Sequence, residues 1–494
     1  MSPQVDLSRS ERLLSVALLT AGLVALVALV WHHMAILGDG FWTIATGRWL
    51  LEHRALPESD PFAFGSAGRW MIVSSGACLL FATVVEAVRL EGLMIVLTGI
   101  EAFAVWLLWR SSARRTLSRA VLLPLALFYV QVDAEDLSAR GQILGDLGFV
   151  LLLGSLGRLR DGKRVPALLV VGLTVAWANL HLSFLAAIFV PLLCAAIVLL
   201  EPRSTRPPVR RFLAVSGLAA AAACVTPYGP SYLRLALGTA FDPSTVQLDL
   251  FRSPDFHEIS WLVAPALALV IALARNHGPT RMRVAEQAFL LCFLALACRS
   301  RRMATALVAV EIALAGPLLD ALWSHPRVEA ILRRRHGGTR AVAALAALAA
   351  LVPTPYWLGL LPRTPKNPLH DVPALAAAVA REAHGARSAA NEPANVVAPL
   401  HWGGYLAYAW RGQPRYFIDG RDHLELFGNG AFDDAGLMWS GDPRSLELLD
   451  VYQAGIVLWE WGHPLDALLY NDPRWRRVHA SAMAVVYVRQ SPTR

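Results

Sequence analysis

The chain is short of charge and of cysteine. Only 17% of its 494 residues are charged and five are cysteines, while 55% are hydrophobic. Soluble domains sit nearer a quarter charged, so the scarcity excludes an ordinary soluble enzyme and implies a polytopic membrane protein. Cys78, Cys194, Cys224, Cys292 and Cys298 all lie in or beside apolar segments, and none has metal-ligand spacing. They read as small apolar residues, which argues against a zinc site or a disulfide framework. The chain also lacks paired inverted repeats and matching Gly/Pro-interrupted helices, the usual marks of a transporter. Finally, the first apolar run is not followed by a small-residue cleavage site, so it reads as an uncleaved spanning helix rather than a signal peptide.

What is present is a ladder of apolar runs. The first, "LLSVALLTAGLVALVALVWHHMAI", is long enough to cross a bilayer. Further spans are expected near 91–109, 117–131, 143–157, 165–180, 183–200, 212–226, 259–275, 284–298, 303–322 and 340–360, about eleven in all. Arginine clusters test this count. Arg9 and Arg12, Arg110 to Arg119, "RLRDGKR", "RSTRPPVRR", "RNHGPTRMR" and "RVEAILRRRHGGTR" all fall on one side if the N-terminus is cytoplasmic. That is the pattern the positive-inside rule requires, so the formal charge of +8 sets orientation and does not point to nucleic acid.

One apolar run, "MIVSSGACLLFATVVEAVRL" (71–90), would break the ladder if it spanned. It contains Ser74, Ser75, Gly76 and Glu86, which are costly against lipid, so it reads as an interfacial or re-entrant helix. A twelfth span with a cytoplasmic C-terminus is the alternative. Residues 37–90 then form one large external loop on a membrane domain running from 1 to 361. From 362 to 494 the composition becomes that of a soluble domain. Short β-rich runs ("NVVAP", "RYFID", "GIVLWE", "AVVYVR") alternate with helical segments, so a small external α/β domain is expected.

The first loop reads "GDGFWTIATGRW" and then "PESDPFAFGSAGRW". With its Asp39, Trp42, Ala45, Thr46, Gly47 and Arg48, followed by Pro57, Asp60, Pro61, Phe62, Phe64, Gly68 and Trp70, it resembles the GT-C superfamily of membrane glycosyltransferases. That superfamily includes protein O-mannosyltransferases, aminoarabinose transferases and oligosaccharyltransferases; a related group of bacterial multi-pass proteins without assigned substrate is closer. "WANLH" (177–181), "TPYG" (226–229), "EISW" (258–261) and "GGYL…FIDGRDHLELFG" (403–428) extend the resemblance over most of the chain. Three places depart from the pattern: its first acid is Leu37, its His is Thr43, and its "FT" reads Phe64-Gly65. A loop that used two acids to hold a metal would be weakened by this. A loop that needs one general base would not.

The resemblance implies transfer of a sugar from a polyprenyl-phosphate donor to a glycan, lipid or protein acceptor at the outer face of a bacterial plasma membrane. In such a transfer by inversion, one carboxylate deprotonates the acceptor hydroxyl while the sugar develops oxocarbenium character. Asp39, at the outer end of the first helix, is the candidate base; the competing reading is that it caps the helix over 41–53. The lipid phosphate that leaves needs Arg rather than an acid. Arg299, Arg301 and Arg302 lie in an external turn against the orientation rule and are candidates for it, with Arg140 a further one. Trp42 and Arg48 are candidates for sugar or headgroup contact, beside their roles as interfacial anchors.

Asp60 precedes a proline and either initiates a turn or binds donor. Asn179 and His181 end a span, where they satisfy helix-end carbonyls or meet the acceptor. Asp133, Glu135 and Asp136 form either a solvated loop or a site for Mg²⁺ or Mn²⁺, which leaves the cofactor open. Asp419, Arg421 and Asp422 are candidates for acceptor contact, with an internal ion pair as the other reading. Two further functions compete with transfer: a flippase of lipid-linked glycans, and a non-catalytic envelope assembly protein that keeps the fold.

Overall fold

The computed structural model describes residues 9–66, 68, 70–132, 138–241, 252–277, 283–326, 328, 372–421 and 430–490. The span expected at 340–360, the acidic residues Asp133, Glu135 and Asp136, and Arg69 and Asp422 lie outside the described residues. The chain divides into two compact units. One comprises Met1–Met34, Ile95–Leu137 and Gly141–Thr364; the other comprises Ala35–Met94, Ser138–Arg140 and Pro365–Arg494. Residues 35–94 are therefore grouped with the C-terminal region, not with the helices that flank them in sequence.

The first unit is helical. It holds α1 (Arg9–His33), the later part of α3 (Ser75–Ser112), α4 (Thr116–Val132), α5 (Gln142–Arg160), α6 (Ala167–Leu180), α7 (Leu185–Ile197), α8 (Val209–Ala222), α9 (Pro230–Phe241), α10 (Ile259–His277), α11 (Val284–Arg299) and α12 (Ala304–Trp323). Among the described residues, five stretches are long and apolar enough to cross a membrane: Leu13–His33, Ser75–Ser112, Gln142–Arg160, Leu182–Leu200 and Arg301–Trp323. Three shorter apolar helices accompany them. Their outward faces carry bare hydrocarbon, with Leu168 83% and Leu13 65% exposed, the reverse of a soluble surface and a match to lipid. Residues 228–261, read as a loop from sequence, contain α9.

Helix α3 is interrupted where the sequence argument divides it. Val88 (φ −135°, ψ 17°) and Arg89 (φ 63°, ψ −175°) leave helical geometry, two residues before the boundary drawn at 90/91. Arg89 occupies a backbone region that glycine favours.

The second unit contains α2 (Gly38–His53), the first part of α3, α13 (Ala374–Ala389), α14 (Leu400–Trp410), α15 (Ala431–Ser440), α16 (Ser445–Val451), α17 (Pro464–Asn471) and four strands. These are β1 (Asn395–Val397), β2 (Ala454–Glu460), β3 (Trp475–Ala480) and β4 (Ala484–Arg489), in the order β1-β2-β4-β3. β1 runs parallel to β2, and the other pairs are antiparallel. β2 is buried along nearly its whole length, as its unbroken apolar sequence requires. "RYFID" forms no strand; Tyr416 makes only isolated bridges, to Val396 and Ala63. "WRRVHA" was not foreseen as a strand, because three of its six residues are basic.

Two glycines allow the helices of this unit to meet at backbone distance. A Cβ at Gly47 would sit 1.9 Å from the Cys78 carbonyl oxygen, and one at Gly404 would sit 2.1 Å from that of Gly38. Neither obstacle is a side chain that can turn away. Gly47→Ala is expected to force α2 and the first part of α3 apart and cost about 1–3 kcal/mol. A thermal melt of the purified variant that matches wild type would contradict this.

Candidate active site

The second unit assembles the loop residues around the start of α2. Leu37, in extended conformation (φ −106°, ψ −176°), is the residue before the helix and makes no side-chain cap. Asp39 thus does not cap a helix beginning at 41; the helix begins at Gly38, and Asp39 lies inside its first turn. There the helix dipole favours a negative charge. The Trp42 indole donates to Asp39 Oδ1 at 3.3 Å, and the Thr43 hydroxyl donates to the Asp39 carbonyl at 2.6 Å. Thr43, the residue that replaces the pattern's His, is therefore a backbone-bound helix residue.

Arg140 Nη1 stands 3.7 Å from Asp39 Oδ2. The short segment carrying it is pinned to the loop by the Ala139 amide, which donates to the Ala35 carbonyl at 2.8 Å. A Cβ at Gly40 would meet the Ala139 carbonyl at 2.6 Å, so only glycine lets this segment lie so close. The Asp39 side chain stays 44% exposed while Arg140 is 13% exposed. The result is an open carboxylate backed by a shielded cation.

The neighbours of this pair come from residues far along the chain. A Cβ built on Gly420 would lie 4.0 Å from Asp39 Oδ1, which puts the "FIDGRD" turn beside the carboxylate. The His401 carbonyl lies 3.1 Å from where a Gly38 Cβ would be, and His401 Nε2 is 3.0 Å from Glu460 Oε1. Burial lowers the His401 pKa although Glu460 raises it. The Gly-rich motifs "WGGYL" and "FIDGRD" were the only sequence signal for these neighbours.

Asp60 is placed differently. Its carboxylate accepts from the Phe62 amide at 2.9 Å and from Arg421 Nη2 at 2.7 Å. The same guanidinium donates through Nε to both oxygens of Asp419 at 2.9 Å, and the Tyr416 hydroxyl donates to Asp419 as well. Side-chain exposure is 1% for Arg421 and 0% for both acids. Trp70 and Phe62 lie against the guanidinium, 4.6 and 5.4 Å from ring centroid to Cζ. Burial raises the Asp60 pKa against the pull of Arg421. Burial opposes the Arg421 cation too, yet Asp419 and Asp60 hold its pKa well above the arginine value. Asp60, Asp419 and Arg421 thus form an internal ion triad with no face open to a ligand.

Arg48 is engaged within the same unit. It donates to Glu86 at 2.8 Å and lies 4.7 Å over the Tyr408 ring. Phe41 meets Tyr405 and Tyr408 beside it, with centroids 5.4 and 5.3 Å apart.

In the first unit, Asn179 donates to the Val175 and Val225 carbonyls, both at 2.9 Å, and so ties off the end of α6. His181 Nδ1 lies 2.7 Å from the Ser183 hydroxyl and accepts from the Ser183 amide, serving as the cap of the 3₁₀ turn Leu182–Phe184. Arg302 donates to Gln142 Oε1 at 3.1 Å, and Arg301 lies 4.8 Å over the Trp261 ring. Arg299 ends α11 with its side chain exposed. Glu311, inside α12, is fully buried and both its oxygens lack a partner among the described residues. An acid in an apolar run was its signal. No group of three or more His, Cys, Asp or Glu among the described residues is placed to hold a metal.

No family model matches the chain, and no curated protein matches its sequence. Solved structures do match. Oligosaccharyltransferase AglB of Archaeoglobus fulgidus, in complex with an inhibitory peptide and a dolichol-phosphate, gives a TM-score of 0.60 at 11% identity. The match covers 92% of this chain and 70% of that one. Arabinofuranosyltransferase AftD from Mycobacteria gives 0.55 at 16% identity, over 98% of this chain but 40% of that one. ArnT of Cupriavidus metallidurans, bound to undecaprenyl phosphate, gives 0.50 at 13% identity, over 97% and 98%. The likeness is one of fold: this chain shares the fold of these three transferases.

Proposed function

We propose that the protein is a glycosyltransferase that moves a sugar from a polyprenyl-phosphate donor to an acceptor at the outer face of the bacterial plasma membrane. The observation that carries this reading is the contrast between the two acids of the first loop. Asp60 is sealed in an ion triad, whereas Asp39 keeps an exposed carboxylate with a cation 3.7 Å away. The acceptor oxygen attacks the anomeric carbon, the bond from that carbon to the phosphate oxygen breaks, and Asp39 takes the acceptor's proton. The electron pair leaves with the lipid phosphate, whose charge Arg140 balances. In the first unit, Arg299 is exposed in its own turn, while Arg301 and Arg302 are engaged among the described residues.

The arginine ladder supports eleven spans, a cytoplasmic N-terminus and an external C-terminal domain. Two of the three solved relatives hold a polyprenyl phosphate, which supports a lipid-linked donor. The test is the full chain in proteoliposomes with radiolabelled polyprenyl-phosphate sugars and envelope extract as acceptor. Label is expected in the acceptor, with one polyprenyl phosphate released per sugar moved. Donor that crosses the bilayer intact would make the protein a flippase, and inertness toward every donor would make it a non-catalytic relative.

A further inference from the structure

At the end of the first unit's helices opposite the Arg299–Arg302 turn lies a cavity of about 640 Å³. Helix α11 joins the two levels, about 24 Å apart over its 16 residues. The floor is apolar, formed by residues such as Leu108, Val150, Leu156, Ile197, Phe212 and Phe289. The size suits a ligand of lipid or drug dimensions. The rim carries four arginines, Arg114, Arg158, Arg160 and Arg283, and four acids, Asp161, Glu201, Glu286 and Asp320.

The charges only look balanced. Asp320 accepts from the Arg114 and Arg115 amides and the Ser118 hydroxyl at the start of α4. Glu201 accepts from the Ala285 amide at the start of α11. Glu286 and Asp161 both bind Arg160. The acids are thus committed to helix ends, to Arg160 and, for Asp161, to Lys163 as well. The exposed guanidiniums of Arg114 and Arg158 pair with none of them among the described residues, which leaves two cations at the rim without a carboxylate partner.

We infer that this cavity binds one anionic glycerophospholipid, with an acyl chain on the apolar floor and the phosphate on Arg114 and Arg158. A neutral lipid would leave these two guanidiniums without an anion, and a free phosphate would leave the floor empty. The wall also has room: nothing lies within 4 Å of where a Cβ would stand on Gly154 or Gly157, both of which line the cavity.

The experiment is native mass spectrometry of the full chain, titrated with dioleoyl phosphatidylglycerol, dioleoyl phosphatidylcholine or inorganic phosphate. One phosphatidylglycerol should be retained in preference to phosphatidylcholine. Arg114→Ala with Arg158→Ala should weaken it about thirty-fold and abolish that preference. Arg114→Lys with Arg158→Lys should restore much of the preference, which guards against a folding artefact. Gly154→Trp should block retention with all charges intact. The proposal falls if the two lipids bind alike in wild type, if Gly154→Trp leaves retention unchanged, or if inorganic phosphate displaces the lipid completely.

Discussion

Asp39→Asn is expected to lower sugar transfer by about 100- to 10,000-fold, the usual contribution of a positioned general base. The amide keeps the size of the carboxylate and an oxygen to accept from Trp42, but it does not take the proton of an attacking hydroxyl. The loss should therefore appear in kcat rather than in binding of the donor, which Arg140 still meets. Folding offers no escape, because Asp39 is half exposed and neither caps α2 nor belongs to the buried triad. An Asp39→Asn protein that elutes and melts like wild type and transfers at the wild-type rate would remove Asp39 from the mechanism.

Arg421→Ala is expected to destabilise the second unit by about 3–5 kcal/mol, the cost of leaving buried charge without its partner. Two carboxylates lose their cation in one step, in a site closed to water. Trp70 and Phe62 also lose the guanidinium they pack against. Replacing all three members together, Arg421→Met with Asp60→Asn and Asp419→Asn, should recover much of the loss, since no charge is then stranded. Proteolysis of residues 372–490 under increasing urea would report both effects. Equal resistance of Arg421→Ala and wild type would show that the triad contributes nothing.

The two aspartates show how far the sequence reaches. Both stand in one loop, both belong to the same motif, and each carried a catalytic and a structural reading. Local pattern does not separate them, because exposure is decided by contacts distant in the chain. Arg421 lies 361 residues beyond Asp60, and that contact turns Asp60 into a structural acid. Gly420 approaches Asp39 from the same turn. Arg48 and Asn179 follow the same logic, each occupied by a partner about forty residues away, whereas His181 is held locally by Ser183.

Other features were legible without coordinates. Hydropathy needs only the local chain, so the long apolar helices could be read directly. The boundary between the apolar runs 71–90 and 91–109 falls within two residues of the non-helical Val88 and Arg89. The first-loop motif pointed to the fold that the solved relatives share. The short strand over 475–480 was hidden because a solvent-facing strand can carry arginines, and the apolar β4 beside it supplies the burial. What the sequence by itself determined is therefore the membrane class, the position of the loop and the small set of acids and cations it holds. Only the tertiary structure decided that Asp39 stays open and Asp60 is closed, because burying a carboxylate requires a cation that the chain brings back from its far end.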